Sequence, residues 1–355
     1  MSATLAPPAD RLAEARRAVR AVRHRGRRRA LAVTLGLCAV AAALFFLALS
    51  VGSFPIPLGD VLRTLLGEGS RRDEFIVTGV RLPRVLTGLL AGMAFGLSGA
   101  IFQSLVRNPL ASPDIIGITM GASASAVVCI VVFGVVGAAV SVAAFAGALG
   151  TAALIYLLAW RDGVSAYRLV LVGIGVGAAL ASLVSYLISR AGITSAQQAL
   201  IWLTGSLNAR AWTHVRPLAV ALALLVPLAL ILLRGLEALR LGDDTAGGLG
   251  VRVERLRLTI LLTAVGLAAV ATAAAGPVPF VAFVAAPIAR RLVRDHGTAL
   301  VPAALVGAIV MVASDLVAQH LLDRGQFPVG VVTGIVGAPY LLWLLATANR
   351  VGRGG

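Results

Sequence analysis

No lysine occurs in these 355 residues, so all 31 basic side chains are arginine. That absence removes the lysine with which a P-loop reaches the terminal phosphates of a nucleotide, and with it any Walker-type hydrolysis on this chain. Acids are scarce too: 15 Asp and Glu leave a formal net charge of +16. The four histidines, His24, His214, His296 and His320, are spread out, with no HExxH and no close metal pairing. Ser98, Ser104 and Ser112 have no histidine in plausible register. No His/Asp/Glu constellation is present, which argues against an intramembrane enzyme. Cysteine is nearly absent; Cys38 and Cys129 fall inside apolar runs and read as small core residues.

What remains is apolar. Hydrophobic residues make up 59% and charged residues only 13%, with a mean hydropathy of +0.94. A water-soluble chain of this size needs far more charge to cover its surface, so the composition implies a polytopic membrane protein. The arginines then set topology and meet anionic headgroups. Without an aromatic-interleaved basic patch, nucleic acid is not an expected partner.

Ten apolar spans can be drawn: 30–50, 84–106, 114–136, 140–160, 167–189, 213–234, 257–275, 279–293, 299–320 and 329–348. The first follows an arginine-rich segment at 1–29 and approaches the ~20 residues that cross a bilayer, so it reads as a retained helix. A cleaved signal ending near Ala48-Leu49-Ser50 is the alternative. With the basic tail inside, ten crossings return the C-terminus to the cytoplasm. Arg107, Arg161, Arg168, Arg234, Arg240, Arg252, Arg255, Arg257, Arg290, Arg291, Arg294, Arg350 and Arg353 then fall inside. Arg63, Arg71, Arg72, Arg81, Arg84, Arg190, Arg210, Arg216 and Arg324 fall outside, a modest bias of the correct sign.

Gly88, Gly92 and Gly96 recur every four residues and line one helix face, so a neighbouring backbone can approach it closely. Gly173-x-Gly175-x-x-Ala178 matches a relaxed dinucleotide fingerprint, but no strand precedes it, and helix packing is the expected role. The eighth span opens on GPVPF (276–280) and is short, as broken spans beside transport pathways are. The segments near 81–116 and 257–290 share a pattern of arginines, a Gly/Ala-rich span and a proline-containing turn. Running in opposite directions, they fit an inverted repeat.

Three polar features stand out. Asp315 is the one acid well inside a span, where it is either functional or a helix-end acid bonded to a neighbour. Arg81 and Arg84 flank a proline in RLPR, either as interfacial snorkels or as a cationic knob for an acidic partner on the outer face. LGDDTAGGLGVRVER (241–255) combines an acidic pair, clustered glycines and a basic end, and its composition suits contact with something outside the chain.

The long stretch RLPRVLTGLLAGMAFGLSGAIFQSLVRNPLASPDIIGITMGAS (81–123) resembles the core signature of permeases of iron-siderophore and vitamin B12 ABC importers. GDDTAGGLGV, GPVPFVAFVAAPIARRLV, DHG and FPVGVVTGIVGAPYLLWLL continue the resemblance over nearly the whole chain. WLTGSLNARAW and MAFGLSGAIFQSLVRNPLASPD are closest to ferric-enterobactin-type permeases.

The resemblance implies an all-α permease of the type II ABC importer fold with about ten transmembrane helices. The permease domain would cover 30–350, with a coupling loop at 236–256 and a short tail at 351–355. It would sit in a bacterial inner membrane with both termini cytoplasmic. The chain itself would bind no cofactor: ATP and Mg²⁺ would be used by two copies of a separate ATPase. In that loop Asp243, Asp244, Thr245, Ala246, Leu249, Gly250 and Val251 would dock on the ATPase. Arg81 and Arg84 would pair with glutamates of a substrate-binding lipoprotein. A further docking arginine of the family is matched here by Gln319, which fits pairing with a paralogous second permease subunit. Gly177, Ser182, Ser185, Thr333 and Gly337, on the fifth and tenth helices, would line the pathway. The cargo implied is a ferric siderophore of catecholate type, with hydroxamate siderophores, haem and cobalamin as alternatives. An ion-coupled secondary transporter is the competing class; it needs an ion site, for which Asp315 stands alone.

Overall fold

The computed structural model describes residues 9–161, 163, 165–294, 298–320 and 327–351; His296, Arg324 and Arg353 lie outside them. Every regular element among the described residues is helical. Ten helices fall on the expected spans: α1 (Ala9–Ser50), α2 (Leu82–Val106), α3 (Ile118–Val131), α4 (Ala138–Ala159) and α5 (Ala166–Arg190), then α6 (Trp212–Ile231), α7 (Val253–Ala275), α8 (Val281–Val293), α9 (Leu300–His320) and α10 (Val329–Val351). Seven of them, α1, α2, α4, α5, α6, α7 and α9, carry spans long and apolar enough to cross a membrane. The apolar parts of α3 and α10 are shorter. α1 begins at Ala9, so the arginine-rich segment continues the first span as one helix, as its run of Ala, Arg, Leu and Glu favours.

α2 lies at the centre, packed on α9, α7, α8 and α6. The glycine face explains how. A Cβ on Gly92 would sit 2.5 Å from the Gly307 carbonyl oxygen of α9. Gly96 meets the backbone of Ala303, and Gly99 that of Ala282 in α8. Gly88 faces the Leu207 side chain. Glycine thus lets backbones touch where any side chain would hold them apart. Polar side chains tie the same helix to its neighbours: Ser98 Oγ donates to the Ala264 carbonyl of α7 at 2.7 Å, and Gln103 Nε2 to the Phe283 carbonyl of α8 at 2.9 Å. Of the seven long apolar spans, α2 and α7 are the most deeply buried.

A second group forms from α3, α4 and α5. Gly121 and Gly147 bring α3 and α4 together, and Gly117 lies against Gly173 and Gly177 of α5. Gly173 therefore serves packing, the role expected of it over a nucleotide fingerprint.

α8 starts late because GPVPF is not helical. Gly276 and Phe280 both take positive φ, 78° and 68°, and turn the chain before the helix begins. A loop at 204–211 satisfies this break: Ser206 N–H donates to the Ala275 carbonyl at 2.8 Å, and Gly330 N–H to the Gly205 carbonyl at 3.3 Å. Shorter helices beyond the expected spans lie at Leu58–Leu65, Arg71–Glu74, Ile193–Leu203, Leu233–Arg240 and Asp243–Gly248.

Replacing Gly92 with valine is expected to cost at least ~2 kcal/mol, because the facing Gly307 backbone has nowhere to move. Gly175 in α5 has open space around it, so Gly175→Ala is expected to be neutral or to gain up to ~1 kcal/mol from helix propensity. Thermal melting of the detergent-solubilised protein compares the two.

Candidate functional site

The helices bring chemistry-bearing residues to two opposite ends. One end carries RLPR; the other carries the GDD loop.

At the RLPR end, residues Phe75–Arg81 wind as a π-helix that runs straight into α2. Pro83 has no N–H for the Gly79 carbonyl four residues back, and the wider turn accommodates that gap. The two arginines are thereby turned inward. Arg81 donates to the carbonyls of Leu49 at 2.7 Å, Ser50 at 3.1 Å and Phe54 at 2.6 Å, and so closes the C-terminal end of α1. A cation suits that negative helix end. Arg84 makes a two-pronged bond to Asp315 of α9, Nε to Oδ2 at 2.9 Å and Nη2 to Oδ1 at 2.8 Å. Gln319 Nε2 adds a third donor to the same carboxylate at 2.8 Å. The pair is nearly enclosed, with side chains 12% and 5% exposed.

The acid inside the ninth span is therefore the helix-end acid bonded to its neighbours. Gln319 has a use of its own as an Asp315 partner. Both RLPR arginines are engaged within the chain, on acceptors supplied by the end of α1, by Phe54 and by α9. Nearby Arg210 donates to the Ser206 carbonyl at 3.0 Å, and burial pulls its guanidinium below the ordinary arginine value.

At the other end, α6 gives way to Leu233–Arg240, an amphipathic helix whose Leu236 and Leu239 are buried. Gly242, at φ 116°, turns the chain into the short helix Asp243–Gly248. Asp243 anchors this turn. Its Oδ2 accepts from Arg257 Nη2 of α7 at 2.7 Å, and Arg107, at the end of α2, lies 3.7 Å from Oδ1. Arg107 also donates to the Leu239 carbonyl, and Arg257 to Glu254 Oε1 at 3.1 Å. A cavity of about 270 Å³ lies beside this junction, lined by Arg107, Tyr156, Ser165, Asp243 and Arg257 among others.

The seven loop residues divide by direction. Asp243 is engaged, Ala246 is fully buried, and Val251 packs on the core. Asp244, Thr245, Leu249 and Gly250 face outward, Leu249 being 66% exposed. Sequence reasoning missed the braces Arg107, Arg257 and Glu254. It also missed Gln103, whose Oε1 accepts from Arg290 and ties α2 to α8.

Of the five residues expected to line a pathway, Ser182 and Ser185 lie on an exposed face of α5 shared with Leu171, Ile174, Ala178 and Tyr186. Both hydroxyls donate to the carbonyl one turn back and so present a capped, weakly polar surface. Gly177, Thr333 and Gly337 are on packed faces instead. Gly177 abuts Gly117, and Gly337 abuts Phe280. Thr333 is 2% exposed and donates to the Gly330 carbonyl. The open face of α10 is formed by Val331, Ile335, Ala338, Pro339 and Leu342. Among the described residues no three His, Cys, Asp or Glu side chains gather as a metal site.

Residues 40–347, from within α1 to near the end of α10, match the FecCD transport family. This chain belongs to the FecCD family. It is 44% identical to the ferric enterobactin transport system permease protein of Escherichia coli K12, over 84% of this chain and 91% of that protein. It is 37% identical to the iron(3+)-hydroxamate import system permease protein of Bacillus subtilis 168, over 90% and 97% of the two chains. A metal-chelate type ABC transporter solved in an inward-facing conformation superposes with a TM-score of 0.77 at 28% identity, covering 89% of this chain and 99% of that one. As a FecCD protein, the chain is a multi-pass membrane permease rather than an enzyme.

Two tests address the FecCD framework. Arg84→Ala and Asp315→Ala are each expected to cost about 3–5 kcal/mol by stranding a buried charge, and the double variant less than their sum. Melting of the four proteins at one pH reads that coupling. In the α2–α3 loop, burial pushes the Asp114 carboxyl up to about 6 from its ordinary 3.8, a hydrogen bond from Thr119 offsetting part of the shift. The folded state favours the protonated form, so this contribution is full below 3.8 and is lost as pH rises through about 6. Asp114→Asn is expected to remove that slope and to raise the melting temperature at neutral pH.

Proposed function

We propose that this chain is one transmembrane subunit of an ATP-driven importer that carries a ferric siderophore into the cytoplasm. The observation that carries the reading is the GDD loop. Leu249, Asp244, Thr245 and Gly250 form an outward face, and Asp243, Arg107 and Arg257 brace it against two central helices. A braced loop passes force to α2 and α7, whereas a loose one would absorb it. The GDD end, both termini and the arginines of α8 then face the cytoplasm, in keeping with the excess of positive charge there.

ATP and Mg²⁺ are bound on a separate ATPase, two copies of which dock on the loops of two permease subunits. Leu249 is the apolar anchor of that contact and Asp244 its charge. The seven residues act in two ranks: four touch the ATPase, while Asp243, Ala246 and Val251 hold the loop in shape. The substrate-binding lipoprotein meets the RLPR end. Arg81 and Arg84 act there by fixing the ends of α1, α2 and α9, and Arg81, half-exposed, borders the docking face. The pathway runs along the open face of α5, with Ser182 and Ser185, and that of α10, against a second permease subunit. Kinship with an enterobactin permease supports a catecholate cargo. Kinship with a hydroxamate permease supports the nearest alternative.

Uptake of radiolabelled iron, supplied as a ferric catecholate to iron-starved cells, tests both levels. Deletion is expected to abolish uptake and wild-type protein to restore it. Leu249→Asp, at normal membrane levels, is expected to lower uptake at least ~10-fold through loss of an interface anchor. Normal uptake by the deletion strain, where no other catecholate importer is present, would overturn the cargo. Wild-type uptake by Leu249→Asp would overturn the loop's role.

A further inference from the structure

The short helix Leu58–Leu65, between α1 and α2, divides its surface three ways. At 3.6 residues per turn, Val61 and Thr64 fall on one side and are buried, Val61 in a cluster with Leu49, Ile56 and Val77. Asp60 and Arg63 fall on a second side and pair in the open at 3.9 Å. Leu58, Leu62 and Leu66, the last directly after the helix, line a third side, and all three are exposed, Leu66 by 79%. The helix packs on α1 and on the π-helix that precedes α2. Ile56 N–H donates to the Ser50 carbonyl at 3.0 Å, which folds the chain back onto the end of the first span. Exposed Val51 and Phe54 carry the open apolar surface of α1 on toward the leucines, and Arg72 lies over the Phe54 ring at 4.9 Å. From the start of α6, Trp212 Nε1 donates to the Thr78 carbonyl of the π-helix at 3.1 Å. Tryptophan concentrates where a bilayer meets water, so this bond sets the π-helix and its neighbours at headgroup level.

We propose that the helix Leu58–Leu65 lies in the membrane interface, with Leu58, Leu62 and Leu66 inserted among the lipids of the leaflet at the RLPR end. A loop standing in water would leave three neighbouring leucines uncovered. An interfacial helix divides its surface as this one does, with apolar side chains toward the acyl chains and charges toward water. A bilayer suits the stripe better than a docking protein, because the stripe continues α1. The span of α1 is unburied within the chain and packs on α9 and α8 along one side, so its open face lies at the edge of the bundle. Inserted there, the leucines hold Phe54 and the π-helix at a fixed depth, and with them the Arg81 clamp on the end of α1. The contact is the same whichever cargo the transporter carries.

The test places a nitroxide label on single cysteines of the full chain, in a Cys38→Ala/Cys129→Ala background reconstituted in phosphatidylcholine vesicles. Leu62→Cys and Leu66→Cys probe the stripe, Arg63→Cys the water side, and Val40→Cys in α1 the bilayer interior. All four positions are exposed, so the labels leave the packing in place. The labels at Leu62 and Leu66 are expected to be relaxed more by oxygen than by an aqueous nickel chelate, at a depth of about 5–10 Å. The label at Arg63 is expected to show the reverse, and that at Val40 to lie deeper than either leucine. The proposal is overturned if either leucine label meets the nickel chelate as freely as the label at Arg63. It also fails if both leucine labels are immobile and shielded from oxygen and nickel alike, since protein and not lipid would then cover the stripe.

Discussion

The contact between the backbones of α2 and α9 is the constraint on which the architecture rests. Gly92 and Gly307 each occupy space that a side chain on the other would need, and Gly96 repeats the arrangement one turn along. In a bilayer, helices gain little from hiding apolar surface, since lipid tails are as apolar as leucine. Dense packing and satisfied polar groups must hold the bundle. α2 obtains the first from its glycines and the second from Ser98, Gln103 and the Arg84–Asp315 pair. The pair closes the RLPR end of the seam that the glycines open, so α2 and α9 are tied both along their backbones and at one end. The GDD loop attaches to this body through Arg107, which immediately follows α2.

Much of this was legible in the sequence because its causes are local. The runs of apolar residues mark the ten helices, and the four-residue glycine spacing marks the buried face of α2. The resemblance of 81–123 carried the family. What remained hidden depends on partners far apart in the chain. Arg84 and Asp315 are separated by 231 positions, and nothing in RLPR says whether its arginines reach outward or fold back. Periodicity also left open which face of a span is packed: Ser182 and Gly177 lie five residues apart on α5, one exposed and one buried. The short helices at Leu58–Leu65 and Ile193–Leu203 were missed because a membrane reading searches for long apolar runs, and these lie between them.

The two ends of the molecule use arginine in opposite ways. At the RLPR end, guanidinium groups are matched to carbonyls and to one carboxylate, in geometry that only a planar fork satisfies. At the GDD end, arginines partly brace acidic residues and partly line a cavity between α8 and α10. A chain with no lysine thus obtains both fixed internal pins and a broad positive surface from a single residue type.

The open face of α5 has a consequence for how such a protein diversifies. Ser182, Ser185 and their exposed neighbours lie outside the packed face of α5, so exchanging them alters its surface chemistry and leaves the packing within the chain in place. Gly92, Gly96 and Gly307 have no such latitude. Geometry therefore leaves the open face of α5 free to change its chemistry, while the glycine seam between α2 and α9 admits no exchange that adds a side chain.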